Sequence, residues 1–461
     1  IRASGLYQDA LDLSTCARFF HEDRLDDTEN SFFEGIKSLP AGHSISINPK
    51  GETRIQKYWQ IISRDCHIAD PASHFAALFE QSVQLHLRSD VPVGVNLSGG
   101  LDSTSIICSI ARERERLGIN QPLRAFSFEA EGYDESAYID ATLSQTSAIR
   151  EKLTLDPDEL WGTLPTALWY QDEPMHSMTG LIGFHLSALA ARHGVKVVLN
   201  GQGADETLGG YPTYFRDYWY TLLVGGHPLR ALTEIRAHAD THGHATETSF
   251  LSLLRHSIQT QFRRAAVYRQ LSRKKKRLRY AQDDWFDAAL VNALPDDDEF
   301  VNPTLNTALE RAVRLDPLPL FLRVEDRNAM AHSVEARLPF LDPGLVEFAF
   351  GLPPEWKMHG PWNKRILRES MTGRIPENAR TRPDKMGFPT PFSDWLRNEL
   401  YPAAIAVLND PAFNMDGLFR VEAIRRDLER HRRGDINIAH RFFKIAEFVI
   451  WRRLSPERAP S

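Results

Sequence analysis

Ser98-Gly99-Gly100-Leu101-Asp102-Ser103 joins a short apolar run, VPVGVNL (91–97), to TSIICSIARERERL (104–117), whose apolar spacing is that of a helix. Two glycines let the backbone approach an anion closely, two serines add hydroxyl donors, and the first amides of the following helix point at the same spot. This is a phosphate-binding turn. It has neither the spacing nor the lysine of the G-x-x-x-x-G-K-S/T loop. An acid, Asp102, stands inside it instead. A carboxylate beside a polyphosphate requires a divalent cation between them, so the turn implies Mg²⁺ and a bound pyrophosphate unit.

A second turn of related composition lies in GVKVVLNGQGADETLGGY (194–211). Val195 to Asn200 reads as a buried parallel strand, and it ends in Gly201, Gly203, Asp205, Glu206, Gly209, Gly210 and Tyr211. In a doubly wound sheet both turns open onto one edge, where such folds bind ligands. Asp102 and Asp205 can then share one metal ion. Its charge would remove the repulsion between the two carboxylates.

The elements that must carry these turns alternate from about Pro71 onward. Phe75, Leu78, Phe79, Val83 and Leu87 share a helical face. Then come a strand at 91–97, a helix at 103–117, a strand at 123–128, helices near 136–146 and at 180–193, and a strand at 195–200. Such alternation predicts an α/β fold with a parallel sheet flanked by helices. Beyond Tyr211 the pattern is mainly helical; residues 212–320 carry no motif, and 287–300 read as an exposed loop. RRAAVYRQLSRKKKRLR (263–279) reads as a solvated helix face rather than a nucleic-acid site.

A chain of 461 residues with 42% hydrophobic content can bury the cores of two or three domains. Its net charge of −6 gives no argument for nucleic acid or an anionic membrane as a partner. Cys16, Cys66 and Cys108 form neither a disulfide framework nor a C-x-x-C pair, which suits a reducing compartment. No apolar run approaches the roughly 20 residues of a membrane span and no signal peptide is visible, so the expected location is the cytoplasm.

SGGLDS resembles the pyrophosphate loop of the ATP pyrophosphatases. Together with GQGADETLGGY it makes the chain resemble the synthetase domain of the asparagine synthetase family. AFSFEAEGYDESAYID (125–140), EDRNAMAHSVEARLPFLDP (325–343), NKRILRESM (363–371) and RPDKMGFPTPFSDWL (382–396) agree, and the resemblance runs from about Tyr58 to Leu454. It implies a doubly wound α/β sheet of the ATP-pyrophosphatase (adenine nucleotide alpha hydrolase-like) type with a helical C-terminal part over 61–461. Residues 1–60 would be the β-rich remnant of an N-terminal nucleophile hydrolase domain, the type 2 glutaminase of amidotransferases. The implied cofactors are ATP and Mg²⁺. Ser98, Gly99, Gly100 and Ser103 would hold phosphates, Asp102 and Asp205 the metal, and Phe128 and Gly201 the adenine. Lys385, in RPDKMGF, matches the family lysine that meets developing negative charge. The implied reaction adenylates a carboxylate, aspartate or a related acid, and nitrogen from glutamine or ammonia displaces AMP. The resemblance also admits a homodimer.

Several residues are read differently or left open. Lys364 and Arg368, one helical turn apart, either reach phosphates or are structural, whereas Glu335 and Arg337 read as a buried structural ion pair. Gln202 stands where asparagine-forming members carry glutamate and β-lactam-forming relatives tyrosine. Glutamine takes no proton at neutral pH. Glu325, Asp326 or a substrate phosphate then accepts the proton, or the acceptor is not aspartate. Same-fold alternatives are a cyclase closing a peptide macrolactam or β-lactam on an internal amine, and an amidotransferase acting on a sugar acid. A catalytically dead nucleotide-binding protein is the alternative outside enzymes. The family's glutaminase opens on a catalytic cysteine, but Ile1 starts this chain, and Cys16 in LSTCARFF reads as a packing residue. Strands at 43–59 read as members of a sheet whose other strands are absent, which makes the chain a fragment of a longer protein. Residues 383–391, rich in proline, read as a lid that orders on ATP binding.

Overall fold

The computed structural model describes residues 10–62, 68–129, 135–243, 266–295, 304–383 and 390–454, with Ser4, Tyr7, Leu251, Leu253, Arg255 and Ser257 besides. Two sheets occur among them. His43–Ile47 (β1) and Thr53–Lys57 (β2) form an antiparallel hairpin in which Ile45 faces Ile55. Val93–Asn96 (β3), Arg124–Phe128 (β4), Ile149–Leu153 (β5), Val197–Leu199 (β6) and Glu335–Arg337 (β7) form a parallel sheet in the order β5-β4-β3-β6-β7. The predicted α/β class with a parallel sheet is therefore present. The chain builds outward from β3 to β4 and β5, then returns to place β6 on the other side of β3. That reversal is a topological switch point, and it lies between the two strands that end in the glycine-rich turns.

Period-two alternation distributes the strand side chains to two cores. Val95, Ala125, Val197 and Leu199 pack with Phe75, Phe79, Ile106 and Ile110 from the Pro71–His86 and Leu101–Arg116 helices. Phe126, Phe128 and Val198 pack on the opposite face with Ile182 and Leu186 of the Met178–Arg192 helix. At the centre only glycine fits in β3. A Cβ on Gly94 would lie 2.7 Å from Phe126 Cε2 and 3.2 Å from the Arg124 carbonyl oxygen.

Sequence and structure diverge in identifiable places. β5, IREKL, was not foreseen because it is a charged edge strand: Arg150 pairs with Glu129, and Glu151 with Arg124 of β4. β7 is the opposite edge and only three residues long. The helices expected at 103–117 and 180–193 begin two residues earlier, at Leu101 and Met178. Within the expected loop at 287–300, Asp287 caps a short helix, Ala288–Ala293, because its Leu290 and Val291 are buried; 296–300 lie outside the described residues. The pair Glu335–Arg337 forms at 2.9 Å but is not buried, since Glu335 is 58% exposed on the edge strand and Arg337 also donates to the carbonyls of His86 and Arg88.

The largest core joins both ends of the chain. Cys16, Phe19, Phe20 and Phe32 pack with Phe442, Phe448 and Trp451 of the Ala439–Arg452 helix. The Leu13–Glu22 helix is thus built into the C-terminal helical layer, while the strands of the β1–β2 hairpin are exposed along almost their whole length. Cys16 is a packing residue here: it is fully buried, and burial pushes its thiol pKa up. Cys66 lies outside the described residues. The basic run forms the Ala266–Ala281 helix with Lys274, Lys275 and Lys276 exposed. No helix among the described residues is long and apolar enough to cross a membrane.

Candidate active site

The turn after β3 is held by its own serines. Ser98 N–H donates to Ser103 Oγ at 3.2 Å, and the Ser103 hydroxyl reaches the Gly100 carbonyl at 3.3 Å. Gly99 adopts φ +70°, a left-handed conformation that favours glycine, and its Cα faces Tyr138 and Ile139 behind the turn. Gly100 is the N-cap of the Leu101–Arg116 helix, and no side chain caps that helix. The turn therefore presents helix N-terminal amides toward the switch point, the arrangement suited to an anion.

The turn after β6 abuts it. A Cβ on Gly201 would lie 2.9 Å from Asp102 Cβ, so glycine is what lets the two turns meet. Gly203, at φ +90°, begins the Ala204–Leu208 helix, whose first turn carries Asp205. Between the carboxylates sits Lys364, 5% exposed, with Nζ 2.6 Å from Asp102 Oδ2 and 2.6 Å from Asp205 Oδ1. Burial alone would lower its pKa, but the two carboxylates outweigh burial and hold it above the ordinary lysine range. Gly210 closes the site from behind: a Cβ there would fall 1.7 Å from Asp205 Oδ1 and 2.2 Å from Lys364 Cε. Gly210→Ala is therefore expected to displace Asp205 and lower the activity of this site by about 10²-fold, the scale for losing one charge-stabilising group. Steady-state kinetics beside a circular dichroism spectrum checks this; an unchanged rate would mean that Asp205 does not act where it stands.

These groups line one cavity of about 410 Å³. Of the residues expected at the site, Ser98, Gly100, Asp102, Ser103, Gly201, Gln202, Asp205 and Glu325 line it. Gly99 lies behind the turn. Phe128 ends β4 with its ring buried against Leu153 and Ile182 and is not among the lining residues. Lys385 falls in 384–389, outside the described residues, as does most of the expected lid at 383–391. Asp326 is exposed and does not line the cavity.

Glu325 lines the same cavity and is anchored by Asn200. Its Oε1 accepts from Asn200 Nδ2 at 2.7 Å. Burial raises its pKa, and the Asn200 bond only partly opposes the shift. Arg368 lines the wall but spends its donors on structure, reaching the Asn363 carbonyl at 2.8 Å, Asn363 Oδ1 at 2.9 Å and the Arg380 carbonyl at 2.6 Å. Arg382 pairs with Glu135 at 2.8 Å and lies over the Tyr138 ring. Sequence reasoning placed Tyr211 in the second turn without a role, and missed Asn200, His176 and Asn328 as lining residues. Asn200 immediately precedes that turn, whereas His176 carries no local signal.

Comparison with known proteins gives the family. The asparagine synthase family model matches residues 74–453. The chain belongs to the asparagine synthase family. It is 30% identical over 401 residues to a protein of Mycobacterium tuberculosis named "Putative asparagine synthetase (glutamine-hydrolyzing)", covering 83% of this chain and 58% of that one. Asparagine synthetase (glutamine-hydrolyzing) 1 of Bacillus subtilis is 25% identical over 432 residues, 92% of this chain and 66% of that one. An amidase of Gibberella zeae is 26% identical over 398 residues, 76% and 57% respectively. The chain thus spans less than two thirds of each of these family relatives.

Proposed function

We propose that the cavity binds ATP with Mg²⁺ and activates a carboxylic acid as its acyl adenylate, releasing pyrophosphate, after which an amine displaces AMP to form an amide. The observation that carries this reading is the convergence of the two turns at the switch point with Asp102 and Asp205 aimed at a single cationic group. Those carboxylates fit a hard divalent ion, because both already face one point of positive charge beside the phosphate turn. Bound there, Mg²⁺ would neutralise the charge that builds on the leaving pyrophosphate. Ser98, Gly100 and Ser103 orient the phosphates through amides and hydroxyls. Lys364, released from its two carboxylates, turns its ammonium to a phosphate oxygen. Lys385 retains the role the family resemblance implies, meeting negative charge in acyl transfer. The sheet and its flanking helices support the ATP-pyrophosphatase type of fold, with residues 1–60 assigned to the end of a glutaminase domain. Incubation with ATP, Mg²⁺, an ammonium salt and a panel of carboxylic acids tests the reading: AMP and pyrophosphate are expected, and ADP would refute it.

Glu325 is the group suited to take the proton from the attacking nitrogen. Gln202, which lines the same cavity, cannot, since an amide has no basic site at neutral pH. A raised carboxyl pKa brings a base toward working pH, so amide formation is expected to fall on the acid side at a pH above the ordinary carboxylate range. Glu325→Gln should preserve ATP–pyrophosphate exchange while slowing amide formation by about 10²–10⁴-fold and removing that acid limb. Equal loss of both half-reactions would assign Glu325 to binding instead. The neutral Gln202 also favours an acceptor other than aspartate. The nitrogen is then glutamine-derived ammonia or an internal amine of a cyclising substrate, and product masses separate the two.

A further inference from the structure

Asp23, His176 and His440 reach one another from three separate parts of the chain: the C-cap of the Leu13–Glu22 helix, the turn before the Met178–Arg192 helix, and the first turn of the Ala439–Arg452 helix. Their side-chain donor atoms all lie within 4.8 Å of one another. We propose that these three residues bind a transition-metal ion of the Zn²⁺ class, at the rim of the cavity and separate from the Asp102–Asp205 pair. Two imidazole nitrogens and one carboxylate oxygen form a borderline-soft set that favours Zn²⁺ or Co²⁺ over Mg²⁺. His440 Nε2 and Asp23 Oδ1 already meet in a hydrogen bond at 3.1 Å, near the roughly 3.3 Å that separates two ligands of a tetrahedral ion.

The third ligand is held in place at a conformational cost. His176 has φ +90°, a region that residues other than glycine rarely adopt, and Glu447 maintains it by accepting from Met175 N–H at 2.9 Å and His176 N–H at 3.0 Å. Lys444 also contacts Asp23, but its ammonium donates as well to the carbonyls of Phe19 at 2.9 Å and Phe20 at 3.3 Å, which hold it when the carboxylate turns to a metal. Because His176 also lines the cavity, the ion would tie the first helix, the cavity rim and the last helix together.

Titration of the chelator-treated chain with Co²⁺ alone tests the proposal. One equivalent should produce the intense visible bands of low-coordinate Co²⁺ and be displaced by Zn²⁺. His440→Ala and His176→Gln should each weaken binding at least about tenfold, a loss typical even for partners outside the direct ligand shell. Both variants are checked for native melting, and Asp102→Asn should leave the bands intact. Absence of the bands in the folded wild type, or bands unchanged in both histidine variants, would overturn the assignment.

Discussion

Asp205→Asn should leave the chain folded and lower ATP-dependent pyrophosphate release by about 10²–10³-fold or more. The substitution keeps the shape of the side chain and removes its charge. Lys364 retains Asp102 at 2.6 Å, so the buried ammonium stays compensated and the melting temperature should change little. What is lost is the second carboxylate facing the phosphate turn, and with it half of the charge that would hold Mg²⁺. Asp102→Asn should act in the same way from the other turn. Removing both carboxylates together is a different experiment. It leaves the Lys364 cation buried without a counter-charge, which costs about 3–5 kcal/mol, and unfolding would then obscure any effect on turnover.

Lys364→Met should give the second large effect, on stability as well as on activity. In its absence Asp102 and Asp205 face each other across a gap that a cation had filled, and about 3–5 kcal/mol of stability should be lost through their repulsion. The sign with pH follows from the raised pKa of the lysine. Its contribution is fully present below the ordinary lysine pKa and is lost only as pH rises through the higher folded value, so at neutral pH the wild type has all of it. The variant should recover stability when Mg²⁺ is added without nucleotide, because the ion supplies the missing charge. Thermal melts with and without Mg²⁺ read this directly. A Lys364→Met chain as stable as the wild type and indifferent to Mg²⁺ would show that the two carboxylates do not converge as described.

The site's floor was legible in the sequence because its residues are local. SGGLDS and GQGADE are each contiguous, each follows an apolar run, and a parallel sheet brings the ends of such runs to one edge. What the sequence left open was made by long-range packing. Lys364 sits 262 residues from Asp102, and nothing in NKRILRESM distinguishes an ammonium aimed at two carboxylates from one aimed at phosphate. Phe128 was placed near adenine by resemblance, yet the alternation of β4 turns its ring into the core beside Leu153 and Ile182. β5 and β7 escaped notice because edge strands need not be apolar, and a three-residue strand has no periodicity to detect. The packing of the first helix was equally hidden, since its Phe19 and Phe20 share a core with the last helix, whose Lys444 donates to the Phe19 carbonyl 425 residues away.

The central claim is that this cavity joins a carboxylate to the α-phosphorus of ATP. Incubating the chain with ATP, Mg²⁺, an ammonium salt as nitrogen donor and carboxylic acids labelled with ¹⁸O in the carboxyl group tests it most directly, with AMP analysed by mass spectrometry. The account predicts AMP bearing one ¹⁸O atom, with pyrophosphate in equal amount, and loss of both in Asp205→Asn. Formation of ADP, or of AMP carrying no label, would contradict it.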